Sequence, residues 1–181
     1  MSKISITVNG KLETGEAEAR TLLSQFLRET LDLTGTHVGC DTSQCGACVV
    51  SVDGASGKSC TMLAVHAEGA DIIAVEGLAA NGDMHPMQKA FHEEHALQCG
   101  FCTPGMLISA RDIITRIPDA DEERVRLELS GNLCRCTGYV SIITAINSVL
   151  EKNRAAPLMP APVPATIGPA GSHPPAQDSE S

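Results

Sequence analysis

Residues 39–48 read GCDTSQCGAC, and with Cys60 they give Cys40, Cys45, Cys48 and Cys60: a C-x4-C-x2-C run, then a fourth cysteine after eleven intervening residues. Thiolates are soft anionic ligands, and three of them in one short loop suit a cluster of two irons and two sulfides that the chain wraps closely. Gly39, Gly46 and Ala47 are small enough for the backbone to approach such a group. The loop's N–H groups can then donate to sulfur and raise the reduction potential. A structural zinc site is the other chemistry open to four cysteines, but its ligands normally come as two opposed pairs.

A second set follows at Cys99, Cys102, Cys134 and Cys136, carried by QCGFCTPG (98–105) and LCRCTGY (133–139). C-x2-C with a distant C-x-C is a four-thiolate site that suits either zinc or a second 2Fe-2S centre, and the spacing alone leaves both open. Cys134 and Cys136 flank only Arg135, too close for an unstrained bridge between them. Each pair is expected beside a helix N-terminus, where free N–H groups and the helix dipole favour thiolates.

The elements that must position these residues can be traced from periodicity. ISITV (4–8) alternates up to Asn9-Gly10, a hairpin dipeptide, before KLETGE. From Thr21, which could cap it, an apolar stripe of Leu22, Leu23, Phe26, Leu27 and Leu31 predicts a helix that ends before Gly35. CVVSVDG predicts a strand, Asp53–Gly57 a turn, KSCTMLAV a return segment and DIIAV (71–75) a further strand. After Gly77 the period changes, and segments 86–97, 104–117, 121–129 and 138–152 predict four helices in a small bundle, with Pro104 in a first turn and Pro118 closing the second. The expected division is therefore a β-rich domain over 1–76, a helical domain over 77–154, and a Pro-rich disordered tail over 155–181.

Composition narrows the function. The chain has 181 residues, no Trp, one Tyr, three Phe and a formal net charge of -9, so it offers neither stacking platforms nor a basic surface for nucleic acid. Its apolar runs fall well short of the roughly 18–20 residues of a membrane span. MSKISITVNG lacks the continuous apolar stretch of a secretory signal, which predicts a cytoplasmic protein and points the eight cysteines to metal or redox use instead of disulfides. No G-x-G-x-x-G after a strand, no P-loop and no triad-like setting is present, so substrate chemistry is expected in another chain.

GCDTSQCGACVV, SCTM, LQCGFCTPGM and GNLCRCTGY, in that order over residues 3–152, resemble the iron-sulfur subunit of the xanthine oxidase family of molybdenum hydroxylases. Within that family they are most similar to the small subunit of aerobic carbon monoxide dehydrogenases and related bacterial dehydrogenases. The resemblance implies an α+β chain: a plant-type ferredoxin-like (β-grasp) domain with a 2Fe-2S cluster on Cys40, Cys45, Cys48 and Cys60, then a four-helix-bundle domain with a second on Cys99, Cys102, Cys134 and Cys136. It further implies an electron-transfer role between the molybdopterin cofactor of a large subunit and FAD in a medium subunit, with a dimer of heterotrimers as the assembly. By position, Gln98 and Cys136 are similar to family residues that contact the pterin. The alternative is a free-standing two-cluster carrier, which has no evident need for a second domain.

The remaining candidates have plainer readings. His85, His92 and His95 complete no zinc-binding helix motif, and His92 with His95, at i, i+3 on one helix face, is expected as a solvated surface pair. Met84, Met87 and Met106 are expected to pack, the acids over 119–123 to open a helix, and Tyr139 to pack at a helix start. Arg135 could offset cluster charge, meet a partner or simply face solvent.

Overall fold

The structure is a computed structural model and describes residues 1–79 and 82–155. Strands β1 (Ser2–Val8) and β2 (Lys11–Ala17) form the expected hairpin, with Val8 opposite Lys11. Asn9 and Gly10 turn it with φ of 52° and 79°, the paired left-handed conformation of a type I′ turn. Ile4, Ile6 and Val8 point inward on alternate positions. β3 (Val49–Val52), β4 (Ala55–Lys58) and β5 (Asp71–Ile73) complete a five-stranded sheet in the order β2-β1-β5-β3-β4. β5 runs parallel to β1 and antiparallel to β3, which makes the sheet mixed, as in a β-grasp.

Two local expectations need correction. Asp53 and Gly54 alone turn the β3–β4 hairpin, with φ of 49° and 87°, and Gly57 lies within β4. A two-residue D-G turn matches the strand twist, so the longer turn over 53–57 is not needed. The helix foreseen from Thr21 to before Gly35 is a short α1 (Leu23–Gln25) that runs into a single π-helical turn over Phe26–Thr30. Its first amide, Leu22 N, is satisfied by Gln25 Oε1 at 3.1 Å, and Thr21 does not cap it. Asp32, at φ 57°, turns the chain away directly afterwards. Leu23, Phe26 and Leu27 are nonetheless fully buried with Ile4, Ile6, Val50 and Ile72, so the apolar stripe marked the buried face correctly.

The helical half contains α2 (Pro86–Glu93), α3 (Thr103–Arg116), α4 (Glu122–Glu128) and α5 (Val140–Ala155). His85 stands at the start of α2 and its Nδ1 accepts from the Met87 amide; Asp121 Oδ1 likewise caps α4 through the Arg124 amide. Burial holds the His85 imidazole below its usual pKa, and the nearby Arg111 charge acts the same way. Met87, Phe91, Met106, Ile113, Val125, Ile142 and Ile146 fill a core of their own. Met84, expected to pack, is 46% exposed because it precedes the first turn of α2. The expected tail beyond residue 155 lies outside the described residues, among which no helix is long and apolar enough to cross a membrane.

The two cores meet along α3, which packs on β3 and draws Val49 into the helical cluster. At this seam a Cβ built on Gly105 would land on the Gly46 carbonyl oxygen and beside Ala47, and one on Gly46 would land on the Gly131 carbonyl and Asn132. Neither obstacle is a flexible side chain. Gly105→Ala should therefore lower stability by about 1–3 kcal/mol through overpacking. Gly57→Ala, whose nearest neighbour is Val52 at 3.9 Å, should stay within about 0.5 kcal/mol. Comparing the thermal unfolding midpoints of the two variants with that of the parent checks this.

Candidate metal centres

The first four cysteines sit on a loop between α1 and β3 and on the single 3-10 turn Ser59–Thr61 that follows β4. The β3–β4 hairpin folds Cys60 back beside Cys48, and Ser59 Oγ fixes that return by donating to the Cys48 carbonyl at 2.7 Å in a buried setting. Ser43 and Gly46 take positive φ of 62° and 69°, which curls the loop, and Lys58 Nζ holds it through the Ser43 carbonyl.

Within this set the thiols face one another in two pairs. The Cys45 amide donates to Cys40 Sγ at 3.4 Å, and this hydrogen bond is the main reason the Cys40 thiol falls to about 6. Burial pushes the Cys45 thiol upward and the Cys60 thiol to about 12, the latter reinforced by facing Cys48 and by the charges of Cys40 and Cys45.

The second set repeats the pairing. Cys102 is the N-cap of α3, as the motif predicted, and Cys134 and Cys136 lie in the loop that enters α5. Cys99 Sγ and Cys136 Sγ are 3.5 Å apart, while Cys102 faces Cys134. Burial, with the neighbouring Cys134 and Cys99, drives the Cys102 thiol to about 12. The Phe101 amide lowers the Cys99 thiol first of all, and its partner Cys136 is raised chiefly by sharing a proton with it. At Cys134 burial opposes ionisation, yet hydrogen bonds from Thr137 and from the Cys136 amide outweigh it and lower the thiol.

All eight cysteines are free thiols, and among the described residues no three His, Cys, Asp or Glu groups gather about a single ion position. Two facing pairs in each set are what a two-iron cluster takes, one pair on each iron. An orphaned polar atom supports the fit: Thr103 Oγ1, next to Cys102, is buried without a hydrogen-bond partner. The donor chemistry and the pairing both suit 2Fe-2S.

The two sets are joined directly. The Leu133 amide donates to the Cys45 carbonyl at 2.8 Å, so one hydrogen bond links a candidate ligand of the first set to the neighbour of Cys134 in the second. Buried Asn132 clamps this contact, donating from Nδ2 to the Gly46 carbonyl at 3.2 Å and accepting at Oδ1 from Ser109 Oγ at 2.9 Å. His37 adds a third tie, its ring stacked on Phe101 at 4.7 Å between centroids and its Nδ1–H donating to the Phe101 carbonyl at 2.8 Å.

None of Asn132, Ser109 and His37 stood out in the sequence; only the position of Asn132, two residues before Cys134, hinted at a role. Tyr139 does more than pack, since its hydroxyl accepts from the Cys134 amide at 2.9 Å. Gln98 and Cys136 are both exposed, and Gln98 adjoins Cys99, so the two expected pterin contacts lie on one open face. Arg135 is exposed, and so are His92 in the last turn of α2 and His95, which lies beyond the helix at φ 52°.

The thiol order is testable in the cluster-free chain. At pH 7 Cys40, at about 6, is largely thiolate, whereas Cys60 and Cys102, at about 12, stay protonated. A brief iodoacetamide pulse read by peptide mass spectrometry should label Cys40 well before the other two. Because the Cys40 pKa is depressed, its labelling rate should persist until the pH falls through about 6.

Comparison with known proteins agrees with this construction. The 2Fe-2S iron-sulfur cluster binding domain family matches residues 6–75, and the [2Fe-2S] binding domain family matches residues 74–147. The chain is 52% identical over 149 residues to the caffeine dehydrogenase subunit gamma of Pseudomonas sp. strain CBB1, covering 81% of this chain and 89% of that one. It is 45% identical over 144 residues to the nicotine 6-hydroxylase small subunit of Paenarthrobacter nicotinovorans, covering 80% and 87%. Among solved structures, quinoline 2-oxidoreductase from Pseudomonas putida 86 matches with a TM-score of 0.82 and 46% identity, over 87% of this chain and 98% of that chain. With both 2Fe-2S domains present in order and these relatives matched over most of their length, the chain belongs to the family of iron-sulfur small subunits of molybdenum hydroxylases.

Proposed function

We propose that this chain relays electrons from a molybdopterin centre in a large subunit to FAD in a medium subunit. Cys40, Cys45, Cys48 and Cys60 would hold one 2Fe-2S cluster, and Cys99, Cys102, Cys134 and Cys136 the other. The observation that carries this reading is the pairing of eight free thiols into two four-thiol sets joined by the Leu133 amide to Cys45 carbonyl bond. When bound, each cluster supplies a one-electron site. The chain's own residues contribute spacing, hydrogen bonds to sulfur, and a short covalent and hydrogen-bonded bridge across the seam. The division of the two units near residue 76 is part of the same proposal, and the family matches over residues 6–75 and 74–147 support it.

The partner faces follow from exposure. Leu97, Phe101 and Leu133 are 42%, 49% and 54% exposed around Cys99 and Cys136, an apolar rim that a large subunit would cover. Gln98 on the same face is placed to contact the pterin, as is Cys136. The names of the relatives, for caffeine, nicotine and quinoline, support an N-heteroaromatic substrate over carbon monoxide, to be selected in the partner chain. Eight free thiols support residence in the reducing cytoplasm, and the assembly is proposed as a dimer of heterotrimers.

Metal analysis of the complex purified with its partners should give about four iron and about four sulfide per copy of this chain, with molybdenum and flavin in the other subunits. Two irons with one zinc would overturn the second cluster, and a lack of stable partners would favour a free carrier. Cys136→Ser should abolish turnover with acceptors that draw electrons from FAD; full activity with a demonstrably missing helical-domain cluster would refute the relay. Gln98→Ala should weaken retention of the pterin cofactor while leaving both cluster signals intact, as followed by molybdenum content and electron paramagnetic resonance.

A further inference from the structure

The loop between the last two candidate ligands and α5 holds a hydroxyl that the relay reading leaves without a task. Thr137 Oγ1 lies 3.2 Å from Cys134 Sγ, and the Tyr139 amide donates to the same oxygen at 3.1 Å. That amide engages a lone pair of the oxygen and leaves the hydroxyl proton free to point elsewhere. A cysteine bound to iron is a thiolate and has only lone pairs to offer, so the contact can run in one direction, from O–H to sulfur.

Both ends of the contact are fixed independently of it. The Cys134 amide donates to Tyr139 Oη at 2.9 Å, and its neighbour Leu133 is tied to Cys45 across the seam. Gly138 and Tyr139 take φ of 66° and 69°, a left-handed pair in which the tyrosine bears backbone strain. This conformation folds the Tyr139 amide and ring back over Thr137 and Cys134. At the first set the donor to a candidate ligand is the Cys45 backbone amide on Cys40 Sγ, which no side-chain substitution removes.

We propose that Thr137 is a potential-tuning residue, donating a hydrogen bond to the Cys134 sulfur that raises the reduction potential of the helical-domain 2Fe-2S cluster. The proposal rests on the reading of Cys134 as a cluster ligand. Reduction adds negative charge that is shared with the thiolate sulfurs, and a charge-assisted donor stabilises the reduced form more than the oxidised one. Thr137 thereby biases electrons toward this cluster.

The test uses the intact complex and potentiometric titration followed by electron paramagnetic resonance. In Thr137→Val the ratio of reduced to oxidised helical-domain cluster at fixed poise should fall roughly tenfold, about 59 mV for a one-electron couple. The midpoint of the other cluster should stay in place, and Thr137→Ser should keep the parental value. A Thr137→Val complex with both clusters and unmoved midpoints, or with both moved equally, would overturn the proposal.

If that variant fails to assemble, electron–nuclear double resonance on the unmodified complex after brief transfer to deuterated buffer decides. A fast-exchanging hydroxyl proton coupled to the helical-domain cluster is expected, and its absence would be fatal. An unmodified complex lacking a second 2Fe-2S signal would instead sink the two-cluster reading beneath it.

Discussion

The structure depends on how closely two backbones approach at one place. The Cys45–Gly46–Ala47 stretch of the first loop presses against Gly105 of α3 and against Gly131 and Asn132 before the second cysteine pair. Side chains larger than hydrogen at Gly46 or Gly105 would strike main-chain atoms, so neither side could yield without shifting an element that bears a candidate ligand. The smallness of this loop, which could be ascribed to wrapping a cluster, is thus required equally by the neighbouring domain. Once the backbones meet, the Leu133 amide reaches the Cys45 carbonyl and the two thiol sets lie a few bonds apart. Buried Asn132, satisfied by Ser109 and Gly46, keeps the contact from slipping, because breaking it would strand polar groups away from water.

Electrostatics at the two sets are handled locally. A chain of net charge -9 that gathers eight cysteines into two sets has few cations to spare. Near the first loop Lys58 is committed to the Ser43 carbonyl, and Arg135 is exposed beside the second. Sulfur is met mainly by amides and hydroxyls: Cys45 N on Cys40, the Phe101 amide on Cys99, Thr137 on Cys134. Such donors are held by the backbone and cost little reorganisation when charge arrives, which suits a group that changes charge repeatedly. Thiols of one residue type therefore spread from about 6 at Cys40, which the Cys45 amide lowers, to about 12 at Cys60 and Cys102, which burial raises.

Much of this was legible in the sequence, and what was missed has a consistent cause. The Asn9-Gly10 turn, the alternation of Ile4, Ile6 and Val8, and the helix starts after Cys102 and at Asp121 are local signals that the folded chain obeys. The Asp53–Gly54 turn was present too but was overextended, because Gly57 resembles a turn residue when only composition is weighed. α1 gives way at Phe26 to a π-helical turn that ends at Thr30, just before Asp32 takes a left-handed conformation, and no periodic pattern announces either. His37, Ser109 and Asn132 escaped notice because their partners are distant in the chain: 64 residues from His37 to Phe101, 86 from Asn132 to Gly46. Cysteine spacing reveals a site, but the clamp between two sites exists only in three dimensions.

The two sets differ in a way that bears on their roles. In the first, Cys48 is buried and the other three are partly covered, so the chain itself encloses most of the site. In the second, Cys99 and Cys136 are exposed, as are their chain neighbours Leu97, Phe101 and Leu133, while Cys102 and Cys134 pack against the helical core. Contiguous exposed apolar side chains around polar, oxidisable groups are unfavourable in an isolated protein and become favourable once covered. The second set is therefore the more open of the two, with Cys102 and Cys134 against the helical core and Cys99 and Cys136 accessible from outside. Cys134 of the inner pair adjoins Leu133, whose amide reaches the Cys45 carbonyl, so the open end of the second set and its link to the first lie on different cysteines.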